Sequence, residues 1–162
     1  MLFRSLRRRD ICFSEDSIPW FIGKKKVEII PNSISVPEIN ENKFKKSPVF
    51  TFINVASLTE HKNQTTLIHG FKCAFPNDSC RLLILGEGPK RKELEWQIEL
   101  LGLQERVSLP GCYSNEEIYK ILYQSHVFVL SSLWEGLPIS LLEAIYCKLP
   151  VLVPPRSEEH TS

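Results

Sequence analysis

From residue 49 to residue 153 one pattern recurs: a short apolar run, a turn, then apolar residues at helical spacing. Strand-length runs alternating with helices specify a parallel sheet covered by helices on both faces, because each crossover must pass back over the sheet. The runs are residues 49–55, 82–85, 107–109, 127–130 and 151–153. The first is rich in β-branched and aromatic residues, as strands are. The second, Leu82-Leu83-Ile84-Leu85, is apolar at every position, the mark of a strand buried on both faces.

Four helices are predicted between and after these strands. Leu67, Ile68, Phe71 and Phe75 share a face of a helix over about 63–74, which Pro76-Asn77-Asp78 stops. Leu94, Ile98 and Leu101 share a face over about 89–101, closed by Gly102. Ser114 with Glu117 three residues on is a capping box opening a helix over about 115–124. The fourth runs from Pro138 to Cys147, with proline at a first position where its missing N–H costs nothing. The expected fold class is α/β, a Rossmann-like parallel sheet with helices on both faces.

Upstream, residues 10–14 and 27–30 read as short strands, and Pro31-Asn32 as a turn. Residues 36–48, lysine-rich with proline at both edges, read as a solvated linker. The two ends look foreign to the rest. Leu2-Phe3-Arg4-Ser5 at the start, and RSEEHTS over 156–162, are what a pair of common sequencing adapters encodes. Residues 1–5 and 156–162 are therefore set aside as adapter-derived, and 162 residues is expected to be a fragment's length.

Charge and composition narrow the function. Lys plus Arg is 20 and Asp plus Glu is 19, so no global field recruits nucleic acid. Trp20, Trp96 and Trp134 are too dispersed for a base-stacking platform. No apolar run reaches the roughly 18 residues of a membrane helix. Cys12, Cys73, Cys80, Cys112 and Cys147 are never spaced as CxxC, and read as thiols of a cytoplasmic protein. His61, His69 and His126 lack ligand spacing, so no metal centre is expected.

In open α/β sheets, ligands sit at the carboxyl ends of the strands. That directs attention to residues 56–62, 86–89, 110–113 and 131–138. Gly86-Glu87-Gly88-Pro89 is on this evidence only a tight turn, neither a Walker loop nor a dinucleotide fingerprint. The most informative loop is Ser131-Ser132-Leu133-Trp134-Glu135-Gly136-Leu137-Pro138. Gly136 lets backbone approach a ligand. The amides of Ile139, Ser140, Leu141 and Leu142 open the following helix and suit a phosphate. Glu143 stands eight residues after Glu135, roughly 12 Å along a helix and about 80° around it. Two carboxylates so spaced are too far apart to share a proton, but they can bracket a ligand with a phosphate middle and hydroxyl-bearing ends. Read structurally instead, Glu135 is a helix-dipole partner and Glu143 a solvated face residue. In the loop after the first strand, Lys62 would neutralise a diphosphate as a point charge.

Together these residues resemble a known family. Glu135-Gly136-Leu137-Pro138, followed by Glu143-Ala144, resembles the Glu-x7-Glu signature of retaining glycosyltransferases of family 4, also called group 1, with the GT-B fold. Pro31-Asn32-Ser33-Ile34 resembles their interdomain "PNG-hydrophobic-Asp" segment. Ser57-Leu58 with Lys62-Asn63 resembles the "GRLxxxKG" loop, Leu85-Gly86-Glu87-Gly88-Pro89 the "GDGP" turn, and Val107 with Gly111 the strand before the base pocket.

The resemblance implies that 6–26 end an N-terminal acceptor domain, that 27–48 join two domains, and that 49–155 form a truncated C-terminal domain binding a nucleotide-sugar donor. It implies Glu135 and Lys62 as catalytic residues, Glu135 on donor-sugar hydroxyls and Lys62 on the diphosphate. Backbone of Gly136, Leu137, Pro138 and Ile139 would assist Glu135. Leu141 and Leu142 amides would cap the diphosphate, Glu143 would hold the ribose, and backbone near Gly111 and Cys112 would meet the base. Ser57 stands where the family commonly has arginine. The implied activity is sugar transfer with retention to a glycan, lipid or small-molecule acceptor, with no metal or other cofactor. Peripheral membrane contact would come through the N-terminal domain, and the 162-residue chain alone would be inactive. Two other readings are a non-catalytic nucleotide-sugar-binding module and a GT-B-type sugar-nucleotide 2-epimerase.

Overall fold

A computed structural model describes residues 10–12, 27–29, 34–39, 43–76, 80–136 and 138–154, with backbone alone for 10–12 and 27–29. The two adapter-like ends, the turn at Pro31-Asn32, the Asn77-Asp78 helix stop and Leu137 lie outside the described residues.

Strands β1 (Asp10–Cys12) and β2 (Val27–Ile29) pair in parallel. Next come β3 (Phe50–Val55), α1 (Gln64–Ala74), β4 (Cys80–Leu85), α2 (Arg91–Leu100), β5 (Val107–Gly111), α3 (Asn115–Gln124), β6 (Val127–Val129), α4 (Ile139–Tyr146) and β7 (Val151–Leu152). A short 3-10 turn, Glu60–Lys62, precedes α1. β3 to β7 make one parallel sheet in the order β5-β4-β3-β6-β7. The alternation read from the sequence is thus an α/β Rossmann-like sheet. Its crossovers leave β3 toward one edge and return at β6 toward the other.

The two faces of β3 seed two cores. Phe52 packs with Ile68 and Phe71 of α1 and Leu94 and Ile98 of α2. Ile53, next in sequence, points the other way to Tyr119 and Leu122 of α3 and Ala144 of α4, because successive strand residues alternate faces. Ile68, Leu82 and Leu94 are essentially inaccessible, and truncating any one to alanine should cost about 2–5 kcal/mol.

Two local expectations need correction. β5 continues through Pro110 to Gly111 rather than ending at Leu109. Pro110 is tolerated because β5 is an edge strand of this sheet, where a missing N–H need not break a ladder. Residues 34–39 and 43–49 are also more than a solvated linker. Asn115 donates to the Ser35 carbonyl (2.9 Å), Ser47 N–H to the Gln124 carbonyl (2.9 Å), and Lys46 to the Ser125 carbonyl. Phe44 stacks on Tyr123 and Ile39 packs on the α3 side of the core. The apolar residues among the lysines tie this segment along α3.

α2 and α4 end in the same hydrogen-bond pattern. After α2, Gly102 N–H bonds the Glu99 carbonyl and Leu103 N–H the Ile98 carbonyl. After α4, Lys148 N–H bonds the Ile145 carbonyl and Leu149 N–H the Ala144 carbonyl. Both turns are Schellman motifs, whose first residue past the cap is left-handed. Gly102 adopts φ +65 and Lys148 adopts φ +59. A side chain there carries a steric penalty of about 1–2 kcal/mol, partly offset by glycine's larger unfolded-state entropy. Gly102→Ala, whose Cβ would meet nothing within 4 Å, is therefore expected to lower stability by about 0.5–1 kcal/mol in chemical denaturation, and a measured gain would overturn this account of the turn.

Candidate functional site

The strand order reverses its direction of growth between β3 and β6. At such a switch point the loops leaving the two strands part and open a crevice at their carboxyl ends. Those loops are 56–63 and 130–138, and they carry Lys62 and Glu135. Lys62 Nζ donates to Glu135 Oε1 in an ion pair whose side chains are 17% and 18% exposed. Ser132 Oγ donates to the same carboxylate oxygen at 2.7 Å. An ammonium has three donors, so Lys62 can hold Glu135 and still face an anion.

The loops are tied by backbone as well. Leu133 N–H bonds the His61 carbonyl (2.8 Å), and Ser131 Oγ bonds the Lys62 carbonyl (2.7 Å). The His61 ring stacks on the exposed Trp134 indole, with centroids 5.4 Å apart. Ser57, at the loop's start, is exposed, and its carbonyl accepts from Gln64 Nε2 at 3.0 Å.

Glu135 is followed by Gly136, exposed, and Pro138, which caps α4 in extended conformation. The amides of Leu141 and Leu142 both turn back to the Pro138 carbonyl, at 3.1 and 3.4 Å. The expectation of four open amides therefore narrows to those of Ile139 and Ser140, for which no partner is found among the described residues. The cause is that Pro138 stands as the cap, so its carbonyl collects the first-turn donors. Glu143 is half-buried on α4, and burial pushes its carboxyl above the ordinary carboxylate range. It is not the solvated face residue of the structural alternative.

A second cluster adjoins the first. Leu58 N–H bonds the Glu87 carbonyl (2.9 Å) and Lys90 N–H bonds the Leu58 carbonyl (3.1 Å), joining the 86–89 turn to the β3 loop. Gly86 N–H bonds the Gly111 carbonyl at 2.8 Å. Arg91 reaches both Glu87 (2.5 Å) and the Leu109 carbonyl (2.7 Å). Gly111 is buried at this junction and Cys112, next to it, is exposed. The turn at 86–89 is thus bonded to the loop that carries Ser57 and Lys62.

The structure brings Lys62 and Glu135 into contact at the end where α4 begins, and sets Gly111 and Cys112 at the end of β5, the edge strand two places from β3. Sequence reasoning assigned no part to Ser131 and Ser132, although both stood in the loop it ranked first. A hydroxyl pair just before a carboxylate was the available signal. The site pairs a cation with a carboxylate, adds two open helix amides, and places a second carboxylate farther along the same helix. Such a set suits an anion flanked by hydroxyl groups.

A family model described as glycosyl transferases group 1 matches residues 35–157. The chain is 39% identical over 143 residues to an uncharacterized glycosyltransferase of Methanocaldococcus jannaschii, covering 80% of this chain and 34% of that protein. It is 30% identical over 159 residues to the UDP-Gal:α-D-GlcNAc-diphosphoundecaprenol α-1,3-galactosyltransferase of Escherichia coli, covering 90% of this chain and 40% of that one. Among solved structures it resembles the pneumococcal O-GlcNAc transferase GtfA in complex with UDP and GlcNAc, with TM-score 0.73, 20% identity, and coverage of 90% and 29%. It also resembles Anabaena HepE in complex with UDP and glucose, with TM-score 0.69, 23% identity, and coverage of 88% and 43%. The chain spans 34% and 40% of the two curated relatives' lengths.

Proposed function

The chain belongs to the glycosyl transferases group 1 family, and from that premise we propose that residues 49–154 bind the nucleoside diphosphate of an activated sugar. The observation that supports this most directly is the Lys62–Glu135 pair at the switch point, beside the start of α4. A leaving nucleoside diphosphate develops negative charge, which Lys62 and the amides of Ile139 and Ser140 face together. Lys62 fills the cation role, with no metal assigned to it. Glu135, oriented by Ser132, accepts hydroxyls of the donor sugar, and Glu143 accepts those of the ribose. Backbone at Gly111 and Cys112 meets the base, and Ser57 leaves the diphosphate with one cation fewer than an arginine would give.

Transfer with retention, as in family 4, is proposed on the Glu135–Glu143 spacing. The acceptor is proposed to be a glycan or a lipid, held by an N-terminal half of which 6–26 are the end. On that reading the longer protein is cytoplasmic and touches a membrane only peripherally. Among the described residues no helix is long and apolar enough to cross one. The 162-residue chain is expected to bind nucleotide without turning over donor.

Isothermal titration of UDP, GDP and ADP into the chain tests the binding step. One of them should bind, and Glu143→Gln should weaken it roughly 10- to 100-fold, the equivalent of hydrogen bonds to a charged acceptor. Because burial raises the Glu143 carboxyl, and protonation removes its charge and turns one acceptor oxygen into a donor, affinity should fall as pH drops through a value above the usual carboxylate range. Failure of all three nucleotides to bind would overturn the assignment.

A further inference from the structure

Tyr119 lies on α3, fully buried, and its hydroxyl has no hydrogen-bond partner among the described residues. An orphaned buried hydroxyl costs folding free energy that phenylalanine in the same space would not. The ring meets Tyr146 of α4 edge-on, with centroids 6.0 Å apart. Tyr146 stands three residues after Glu143, a spacing that sets both on one face of the helix. Tyr119 therefore packs against the stripe of α4 that carries Glu143. Its hydroxyl is pushed up to about 12, chiefly by burial and then by the charge of Glu143, with smaller effects from Cys147, Tyr146 and Tyr123. At ordinary pH the phenol is a donor, and a half-buried carboxylate stands within its electrostatic reach.

We propose that Tyr119 is a positioning residue for Glu143: its hydroxyl donates to one oxygen of the Glu143 carboxylate when a nucleotide is bound. This rests on the assignment of Glu143 to the ribose. A carboxylate offers about four acceptor positions, so the phenol takes one and leaves the others for the ribose diol. The bond favours the charged form of a carboxyl that burial pushes toward the neutral one. It also gives the orphaned hydroxyl its partner in the bound state.

The test is titration of UDP, or of GDP or ADP where that is the nucleotide the wild type binds, into the full chain as wild type, Tyr119→Phe, Glu143→Gln and the double variant, with a thermal melt of each. Tyr119→Phe should weaken nucleotide binding five- to tenfold without lowering the melting temperature. It should move the pH at which affinity is half lost upward. In the Glu143→Gln background it should do nothing further. The groups facing Tyr119 that could also titrate are Glu143, Tyr146 and Cys147 from α4 and Tyr123 from α3, so the Gln background isolates Glu143. Unchanged nucleotide affinity in Tyr119→Phe, with Glu143→Gln weakened, would overturn this inference alone. Wild-type affinity in Glu143→Gln, or no binding of UDP, GDP or ADP by the wild type, would overturn the ribose assignment and the inference with it. A lower melting temperature for Tyr119→Phe, or equal weakening in both backgrounds, would mean that the hydroxyl serves packing, and would also overturn it.

Discussion

Lys62→Ala should lower sugar transfer by the longer protein about 10²- to 10³-fold, the size expected when one group facing developing charge is removed. Two effects combine. The ammonium that would meet the diphosphate is gone, and Glu135, which Lys62 holds in the structure, is left as an unpaired anion beside it. At about 4 Å, in a partly shielded site, two unit charges repel by roughly 4 kcal/mol. The second effect can be separated from the first. Adding Glu135→Gln to Lys62→Ala should restore part of the UDP affinity without restoring turnover. Steady-state release of UDP from the sugar donor, measured beside calorimetric binding, reads both. Turnover within threefold of wild type in Lys62→Ala would discard Lys62 as the diphosphate cation.

Gly86→Ala should be the most damaging single methyl addition in the sheet region. Gly86 adopts φ +141, where side chains are rarely found, and a Cβ there would overlap the Ala56 carbonyl oxygen and lie 2.9 Å from its carbon. The obstacle is backbone, so no rotamer change relieves it. Ala56 in turn is fixed by its N–H to the Leu85 carbonyl (3.0 Å). Relief must push the loop that carries Ser57 and Lys62. Strain and overlap together should cost about 3–5 kcal/mol, which for a chain of this size lowers the melting temperature by roughly 10–15 °C. Nucleotide affinity should fall with it. A melting temperature within 3 °C of wild type would refute this account of the close approach.

Much of this was legible because it is local. The Ser114–Glu117 capping box is a spacing of three residues, and the structure shows both of its hydrogen bonds. The apolar run Leu82 to Leu85 and the stripe Leu94–Ile98 state their burial directly in the sequence. Lys62 and Glu135 were each visible alone, the one in a strand-end loop, the other before a helix start. Their contact was not, because they are 73 residues apart and meet only through the order β3-β6, which no local pattern encodes. Tyr119 was hidden for a different reason. Its spacing to Leu122 reads as core, and nothing in a sequence tells a satisfied buried hydroxyl from an orphaned one. Leu141 and Leu142 show the opposite error: the helix start was legible, but not which carbonyl would claim its first amides.

The hydrogen bonds that the Leu133 N–H gives to the His61 carbonyl and the Ser131 hydroxyl to the Lys62 carbonyl have a consequence for how a ligand enters. Two segments drawn from opposite halves of the sheet are stitched into one jaw during folding, so no later motion is needed to bring the lysine to the glutamate. Recognition then begins from a preset geometry, and the ordering entropy of those loops is lost once per folding event rather than once per encounter.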